Sequence, residues 1–342
     1  MDCFPFRQNG MIMNEIRTSI LGIGNALVDV IIALENDTVL AKFGLPRGSM
    51  TLVDAELSRN IYKATRFNNR EITTGGSAAN TIHALAALGT ACGYLGKTGN
   101  DELGDIFRRE FEKKNIKTFL LQSEKGTGRV MAMVSPDSER TMATYLGAAA
   151  DLKPEELKPE MFEGFGVLYV EGYLVQDHRL IETAVDLARQ AKLKIAIDLS
   201  SFNIVEQNLA FLRRLTEEKV DIVFANEEEA FAFTGKKPDE ALEKIAALCE
   251  IAVVKTGKEG SLIQRGNEKT KAKIIPALAI DTTGAGDNYA AGFLYGLMNG
   301  FSLQKCGRIA ALVSGKVVEV MGAKIPDDRW PAILKTIYEM ED

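Results

Sequence analysis

The sequence predicts an α/β fold of three layers, in which a mostly parallel central sheet lies between two layers of helices and carries a small β-sheet lid. Short apolar runs recur along the chain with helical patterns between most of them, as the strands of a sheet buried on both faces do. Two stretches, 37–53 and 117–150, break that alternation, and the second carries period-two segments, so both are expected to leave the main sheet. The chain has 342 residues and is 46% hydrophobic, enough to bury one large core with or without an appendage.

In chain order, residues 1–16, with further methionines at Met11 and Met13, read as a loose tail. The run Ser19 to Gly24 is the first expected strand. Ser77 to Leu88 places Ala78, Ile82 and Leu85 at helical spacing, opens with a serine cap and stops at Gly89. A strand over Ala91 to Leu95 and a helix over Asp101 to Lys114 follow. The period-two segments lie around Arg129 to Val134 and Arg140 to Tyr145. Further strands are expected at Val167 to Val170, Ile195 to Leu199, Ile222 to Ala225 and Ile251 to Val254, with helices over Arg179 to Ala191 and Asp239 to Cys249. Gly260 to Ile275, with a turn near Gly266-Asn267, reads as an edge hairpin. Helices over Gly284 to Met298, Leu303 to Val320 and Asp328 to Glu339 close the chain. The expected division is a core of 17–36, 54–116 and 151–342 and a lid of 37–53 and 117–150. A cover over an active site is the natural use of such a subdomain, the alternative being an antiparallel extension of the main sheet.

A formal net charge of −6 with scattered basic residues leaves no electrostatic footprint for nucleic acid or for an anionic membrane. Cys3, Cys92, Cys249 and Cys306 form no C-x-x-C pair, so neither a zinc site nor a disulfide framework is indicated. The first residues lack the apolar core of a signal peptide, and the expected compartment is the cytoplasm. With only His83 and His178, a histidine-ligated metal or a serine triad is poorly supplied, and His83 is expected to face solvent or to pack within its helix. Small-molecule chemistry remains.

The segment Asp281-Thr-Thr-Gly-Ala-Gly-Asp287 precedes an apolar helical run. Its glycines let the backbone approach a ligand closely, and the first amides of a helix have no internal acceptor and point outward with the positive end of the dipole. Gly284, Ala285 and Gly286 are therefore candidates for an oxyanion or phosphate cradle. Asp287, in the first turn beside it, is placed to take a proton from an alcohol attacking phosphorus. Alone, the same residues also suit a helix start that merely complements its dipole.

Together with Gly75-Gly-Ser-Ala-Ala-Asn80, this segment resembles the hallmarks of the ribokinase-like, or PfkB, family of sugar and nucleoside kinases, a resemblance that extends from about Thr18 onward. It implies a ribokinase-like fold with Asp287 as catalytic base and Gly284, Ala285 and Gly286 as anion hole. Asp29, in Gly24-Asn-Ala-Leu-Val-Asp29, matches the family's aspartate at the end of the first strand, and Gly75, Gly76 and Asn80 match its substrate-binding residues. A carboxylate accepting two hydroxyls suits a vicinal diol. Asn226-Glu-Glu-Glu229 fits the family's N-x-x-E element, which implies that Asn226 and Glu229 organise phosphate and Mg2+, Glu229 through water; a solvated acidic helix start reads the same way. Lys255, Thr256 and Gly257 resemble the loop on the ATP side. Asp281 with Thr283 resembles the loop that holds a monovalent cation, K+, in many relatives. Arg140 reads as an exposed turn residue, with reach toward substrate as the alternative. The runs Glu139 to Ala148 and Tyr169 to Leu174 are similar to those of bacterial adenosine kinase-like members, which tilts the expected substrate toward a nucleoside, with ribose, fructose or a keto-deoxy sugar acid as alternatives. Tyr145, Tyr173 and Phe202 are the candidates to stack on a base. The extra strands are candidates for pairing two subunits. A ligand-binding sensor on a kinase fold is the rival class.

Two near-motifs are set aside. Ala91 to Thr98 mimics a P-loop, but the expected strand runs through it and no helix opens at Lys97-Thr98. Gly22-Ile-Gly24 lacks the third glycine of a dinucleotide fingerprint, since Leu27 stands there.

Overall fold

A computed structural model of the protein describes residues 18–137 and 139–342; the expectation for residues 1–16 lies outside them. In chain order the strands are β1 (Ile20–Ile23), β2 (Leu27–Ala33), β3 (Met50–Leu52), β4 (Arg70–Gly75), β5 (Cys92–Gly99), β6 (Lys117–Ser123), β7 (Gly128–Val134), β8 (Arg140–Tyr145), β9 (Val167–Glu171), β10 (Lys194–Asp198), β11 (Ile222–Asn226), β12 (Ile251–Lys255), β13 (Ser261–Arg265) and β14 (Glu268–Ala272). Nine of them form one sheet in the order β14-β13-β12-β11-β10-β9-β1-β5-β6. The segment from β12 to β6 is parallel throughout, and β13 and β14 add the expected antiparallel hairpin at one edge. The turn of that hairpin contains Gly266, whose φ of 55° a side chain would resist.

Period-two alternation sorts the core onto the two faces of this sheet. Val167, Tyr169, Ile251 and Val253 join one buried cluster with helices Ser77–Ala87, Glu102–Lys113, Ala285–Met298 and Leu303–Val317. Leu168, Val170, Ala252 and Val254 join the opposite cluster with helices His178–Gln190, Leu209–Lys219 and Pro238–Ala246. Two helix layers on a parallel sheet follow from strands that are apolar on both faces.

The second sheet has the order β3-β8-β7-β2-β4 and is mixed, with β2 parallel to β7 and antiparallel to β4. Its membership corrects the expected lid boundaries. Lys117–Ser123 belongs to the large sheet beside β5, whereas β2 and β4 come from stretches assigned to the core. Of 37–53, a short helix Thr38–Lys42 and the three residues of β3 are regular. The physical reason lies in β2: Val30 and Ile32 enter a third apolar cluster, while Leu27, Asp29 and Ile31 face a cavity. That alternation is hidden inside a run that reads as continuously apolar. Asp29 therefore sits inside the second strand and not at the end of the first.

Among the described residues no helix is long and apolar enough to cross a membrane.

Candidate active site

The parallel strands deliver their C-terminal ends to one rim, the usual site of ligand binding in open α/β sheets. Asn25 follows β1, and Glu171, Asp198, Asn226 and Lys255 end β9, β10, β11 and β12. One cavity of about 1400 Å³ opens there, roofed by β2, β7 and β8. Asp29, Gly76, Asn80, Lys255, Gly286 and Asp287 all line it.

On one side, Gly75 and Gly76 are glycines for steric reasons. A Cβ on Gly75 would lie 2.2 Å from Asp29 Oδ1, and one on Gly76, whose φ is 99°, would lie 2.2 Å from the Asn25 carbonyl oxygen. Gly76, not Ser77, caps helix Ser77–Ala87. The Ser77 hydroxyl instead donates to Asp287 Oδ1 at 2.7 Å, and Asn80 Nδ2 donates to Asp287 Oδ2 at 2.9 Å. The Asn80 Oδ1 acceptor is buried without a partner among the described residues, free for a hydroxyl. Glu171 accepts from Asn25 Nδ2 at 2.5 Å and from the Ala78 amide at 3.0 Å, clamping β1 to the helix start. Burial pushes its carboxyl up to about 7 against those donors.

On the other side, Gly284 caps helix Ala285–Met298 with φ 74°, packed so that a Cβ would meet Ala323 Cβ at 2.5 Å. The Ala285 amide is occupied by the Thr282 carbonyl at 3.2 Å, while those of Gly286 and Asp287 have no backbone acceptor among the described residues. Of the expected Gly284, Ala285 and Gly286, the Ala285 amide is thus engaged, while that of Gly284, like that of Gly286, has no backbone acceptor among the described residues. Lys255 Nζ stands beside it, 3.3 Å from where a Gly286 Cβ would lie, and is paired with Asp198 Oδ2 at 2.9 Å. Burial opposes the Lys255 charge, but Asp198 and Glu229 outweigh it and hold the ammonium well above the ordinary lysine range. Burial pushes Asp287 up to about 6; Asn80 and Ser77 pull it down, Asp198 pushes it up and Lys255 pulls it down. Gly257 reaches the cavity with Lys255, whereas Thr256 is 7% exposed and its Oγ1 has no partner among the described residues.

Asn226 and Glu229 form a capping box: Asn226 Oδ1 accepts from the Glu229 amide at 2.8 Å, and Glu229 Oε2 accepts from the Asn226 amide at 2.7 Å. Burial pushes Glu229 up to about 7, with Lys255 pulling it down and Asp198 pushing it up. No group of three or more His, Cys, Asp or Glu suited to a metal occurs among the described residues. With Glu229 engaged at both oxygens by Asn226 and Asp198 paired with Lys255, the cavity lining suits a divalent ion held chiefly by phosphates and water beside these carboxyls.

Arg140 is neither exposed nor in a turn. It lies on β8 with a 14% exposed side chain, its Nη2 is 2.7 Å from Asp281 Oδ2, and its Nη1 donates to Thr283 Oγ1 at 2.7 Å. Asp281 Oδ2 also accepts from the Gly322 amide at 2.6 Å, and Oδ1 accepts from the Thr283 amide at 3.0 Å and hydroxyl at 2.8 Å. Both carboxylate oxygens and the Thr283 hydroxyl are thus engaged, and these side chains do not fit a K+ site. Tyr173 lines the cavity; Tyr145 and Phe202 do not. His83 is buried at 6% exposure and held neutral by that burial, its basicity lowered to about 3. Lys97 lies within β5, tied to Glu156 at 2.6 Å, with no phosphate cradle about it.

Sequence reasoning missed Ser77, Glu171, Asp198 and Lys324. Asp198 and Glu171 carry a usable signal, an acidic residue ending an apolar strand; Ser77 was hidden by its likeness to a cap. Lys324 Nζ donates to Thr73 Oγ1 at 3.1 Å and to Thr74 Oγ1. Nothing in its local sequence announces that position.

An alcohol-directed phosphotransferase is the class that this fold and rim define. The chain belongs to the pfkB family of carbohydrate kinases, whose model matches residues 48–330. It is 34% identical to a probable sugar kinase of Rhizobium etli CFN 42, over 93% of this chain and 99% of that one, with a TM-score of 0.83. It is also 34% identical to an adenosine kinase of Sinorhizobium meliloti, over 94% and 99%, with the same TM-score of 0.83. A 5-dehydro-2-deoxygluconokinase of Geobacillus kaustophilus is 28% identical over 71% of this chain and 78% of its own length. Kinases of this family use ATP with a divalent metal.

Proposed function

We propose that the protein transfers the γ-phosphoryl group of ATP to a hydroxymethyl oxygen of a nucleoside resembling adenosine, as a cytoplasmic enzyme. The observation that carries the reaction is the position of Asp287, in the first turn of a helix whose Gly286 and Asp287 amides have no backbone acceptor among the described residues, bonded to Asn80 and lining one cavity with Asp29. Asp29 and Asn80 Oδ1 would take the sugar hydroxyls. Asp287 would take the proton of the hydroxymethyl group as its oxygen bonds to the γ-phosphorus and the bond to the β,γ-bridging oxygen breaks, the electron pair leaving with ADP. The amides of Gly286 and Asp287 and the Lys255 ammonium would bear the charge on the transferred group. A divalent ion, when bound, would neutralise phosphate charge, with Glu229 and Asp198 holding its waters. The second sheet would exclude water, the competing acceptor.

The lean toward a nucleoside rests on the roof. Leu27, Ile31, Val130, Ala132 and Met142 present an apolar surface suited to the flat face of a base, with Tyr173 also on the cavity wall. The likeness to the Sinorhizobium adenosine kinase agrees with it. The test is an ATP-consumption screen with adenosine, other nucleosides and ribose, fructose and keto-deoxy sugar acids, run beside Asp287→Asn. Adenosine turnover that the variant lacks is the expected result. Turnover of a sugar alone removes the nucleoside assignment, equal turnover by the variant removes Asp287 as base, and binding without turnover indicates a sensor.

A further inference from the structure

The base of the proposed reaction is held from the opposite half of the molecule. Ser77 Oγ donates to Asp287 Oδ1 at 2.7 Å and Asn80 Nδ2 to Oδ2 at 2.9 Å, and the Thr81 hydroxyl lies 3.2 Å from both the Asp287 carbonyl and the Ser77 carbonyl, all on one face of helix Ser77–Ala87. Each carboxylate oxygen is thus aimed by a different neutral donor, and each retains a lone pair. The helix start cannot drift. Gly76 is pressed on the Asn25 carbonyl, and the Ala78 amide is bound to the buried Glu171 carboxyl at 3.0 Å.

We propose that Ser77 is a positioning residue for phosphoryl transfer: its hydroxyl orients the Asp287 carboxylate, so that the helix that binds substrate also sets the base. This rests on Asp287 being the base. A serine at the first helical position with no capping bond of its own has its hydroxyl free for that task. Lys255 faces Asp287 from β12, Asp198 from β10, and Tyr169 and Glu171 from β9; Tyr173 follows β9. Of these, Lys255 supplies charge but is already engaged by Asp198, so direction comes from Ser77 and Asn80. A donor to the ionised carboxylate stabilises that form, and its loss raises the pH at which the base protonates.

The experiment compares Ser77→Ala, Ser77→Thr, Asp287→Asn and the double variant Ser77→Ala/Asp287→Asn. With ATP and adenosine, Ser77→Ala should lose about tenfold in kcat at pH 6 and less than about twofold at pH 9, with KM for adenosine nearly unchanged. Ser77→Thr, which keeps a hydroxyl, should recover most of the loss. Thermal denaturation of the same proteins needs no substrate. Ser77→Ala should lower Tm more at pH 8, where Asp287 is ionised, than at pH 5, and that difference should vanish in the Asp287→Asn background. An unshifted acid limb, or a Tm loss independent of pH and of Asp287, overturns the role of Ser77. Full turnover by Asp287→Asn instead overturns the base assignment, and the denaturation cycle still decides whether Ser77 acts on that carboxylate.

Discussion

Two carboxyls line the one cavity, Asp29 on the second sheet and Asp287 on the first turn of a core helix. Burial pushes both up to about 6, yet their surroundings differ. Asp29 is offset by two cations, Lys324 and Arg140, acting through space. Asp287 is offset first by neutral donors, Asn80 and Ser77, that touch its oxygens. A distant cation favours ionisation without taking up lone pairs, which suits a carboxylate that must accept two hydroxyls. Direct donors fix a direction, which suits one that must meet a single proton in line with phosphorus.

The largest effect that separates the two is on turnover. Asp287→Asn should lower kcat by roughly a thousandfold or more with KM for the acceptor little changed, measured by steady-state kinetics. If KM alone rises, Asp287 is a binder and the comparison collapses. Asp29→Asn should do the reverse, raising KM for the acceptor about tenfold to a hundredfold with a smaller change in kcat.

The pH profiles sharpen the contrast. The proposed base acts ionised, so kcat should fall as pH drops through about 6. Lys324→Met removes a cation that pulls Asp29 down, so the acid limb of kcat/KM for the acceptor should move to higher pH while the limb of kcat stays in place. Stability should show the opposite sign. Both carboxyls titrate higher in the folded chain than their ordinary 3.8, so the folded form holds their protons as pH rises from about 4, and stability declines until about 6. At pH 8, calorimetry should therefore find Asp287→Asn at least as stable as the parent protein.

The smallest effect concerns the cation. With Asp281 satisfied by Arg140, Gly322 and Thr283, replacing KCl by NaCl or choline chloride should change kcat by less than about twofold, a bound set by ordinary ionic screening. Strong activation by K+ would show that the Arg140 pair opens to admit an ion.

Much of this site was legible before any fold was known. Asp281 to Asp287 and Gly75 to Asn80 are local chemistry, in which glycine permits what other residues forbid, and local backbone demands are written in consecutive residues. The strands of the large sheet were legible for a similar reason, since strands buried on both faces are apolar at every position. The second sheet was harder. Its face toward the cavity is itself apolar at Leu27 and Ile31, so period two was masked and Asp29 was set on the wrong strand. Arg140 was misjudged because an arginine in a polar stretch carries no mark of a partner 141 positions away, Asp281.

By itself, then, the amino-acid order determined the layers, the two glycine motifs and the carboxylate at the helix start, all of which depend on neighbours within a few residues. Only the tertiary structure decided which strands make the roof, that Lys255 is paired with Asp198, and that the Ser77 hydroxyl bonds Asp287 and does not cap its own helix. Those choices rest on contacts between residues far apart in the chain, where burial sets the strength of every charge and hydrogen bond and no local pattern records the partner.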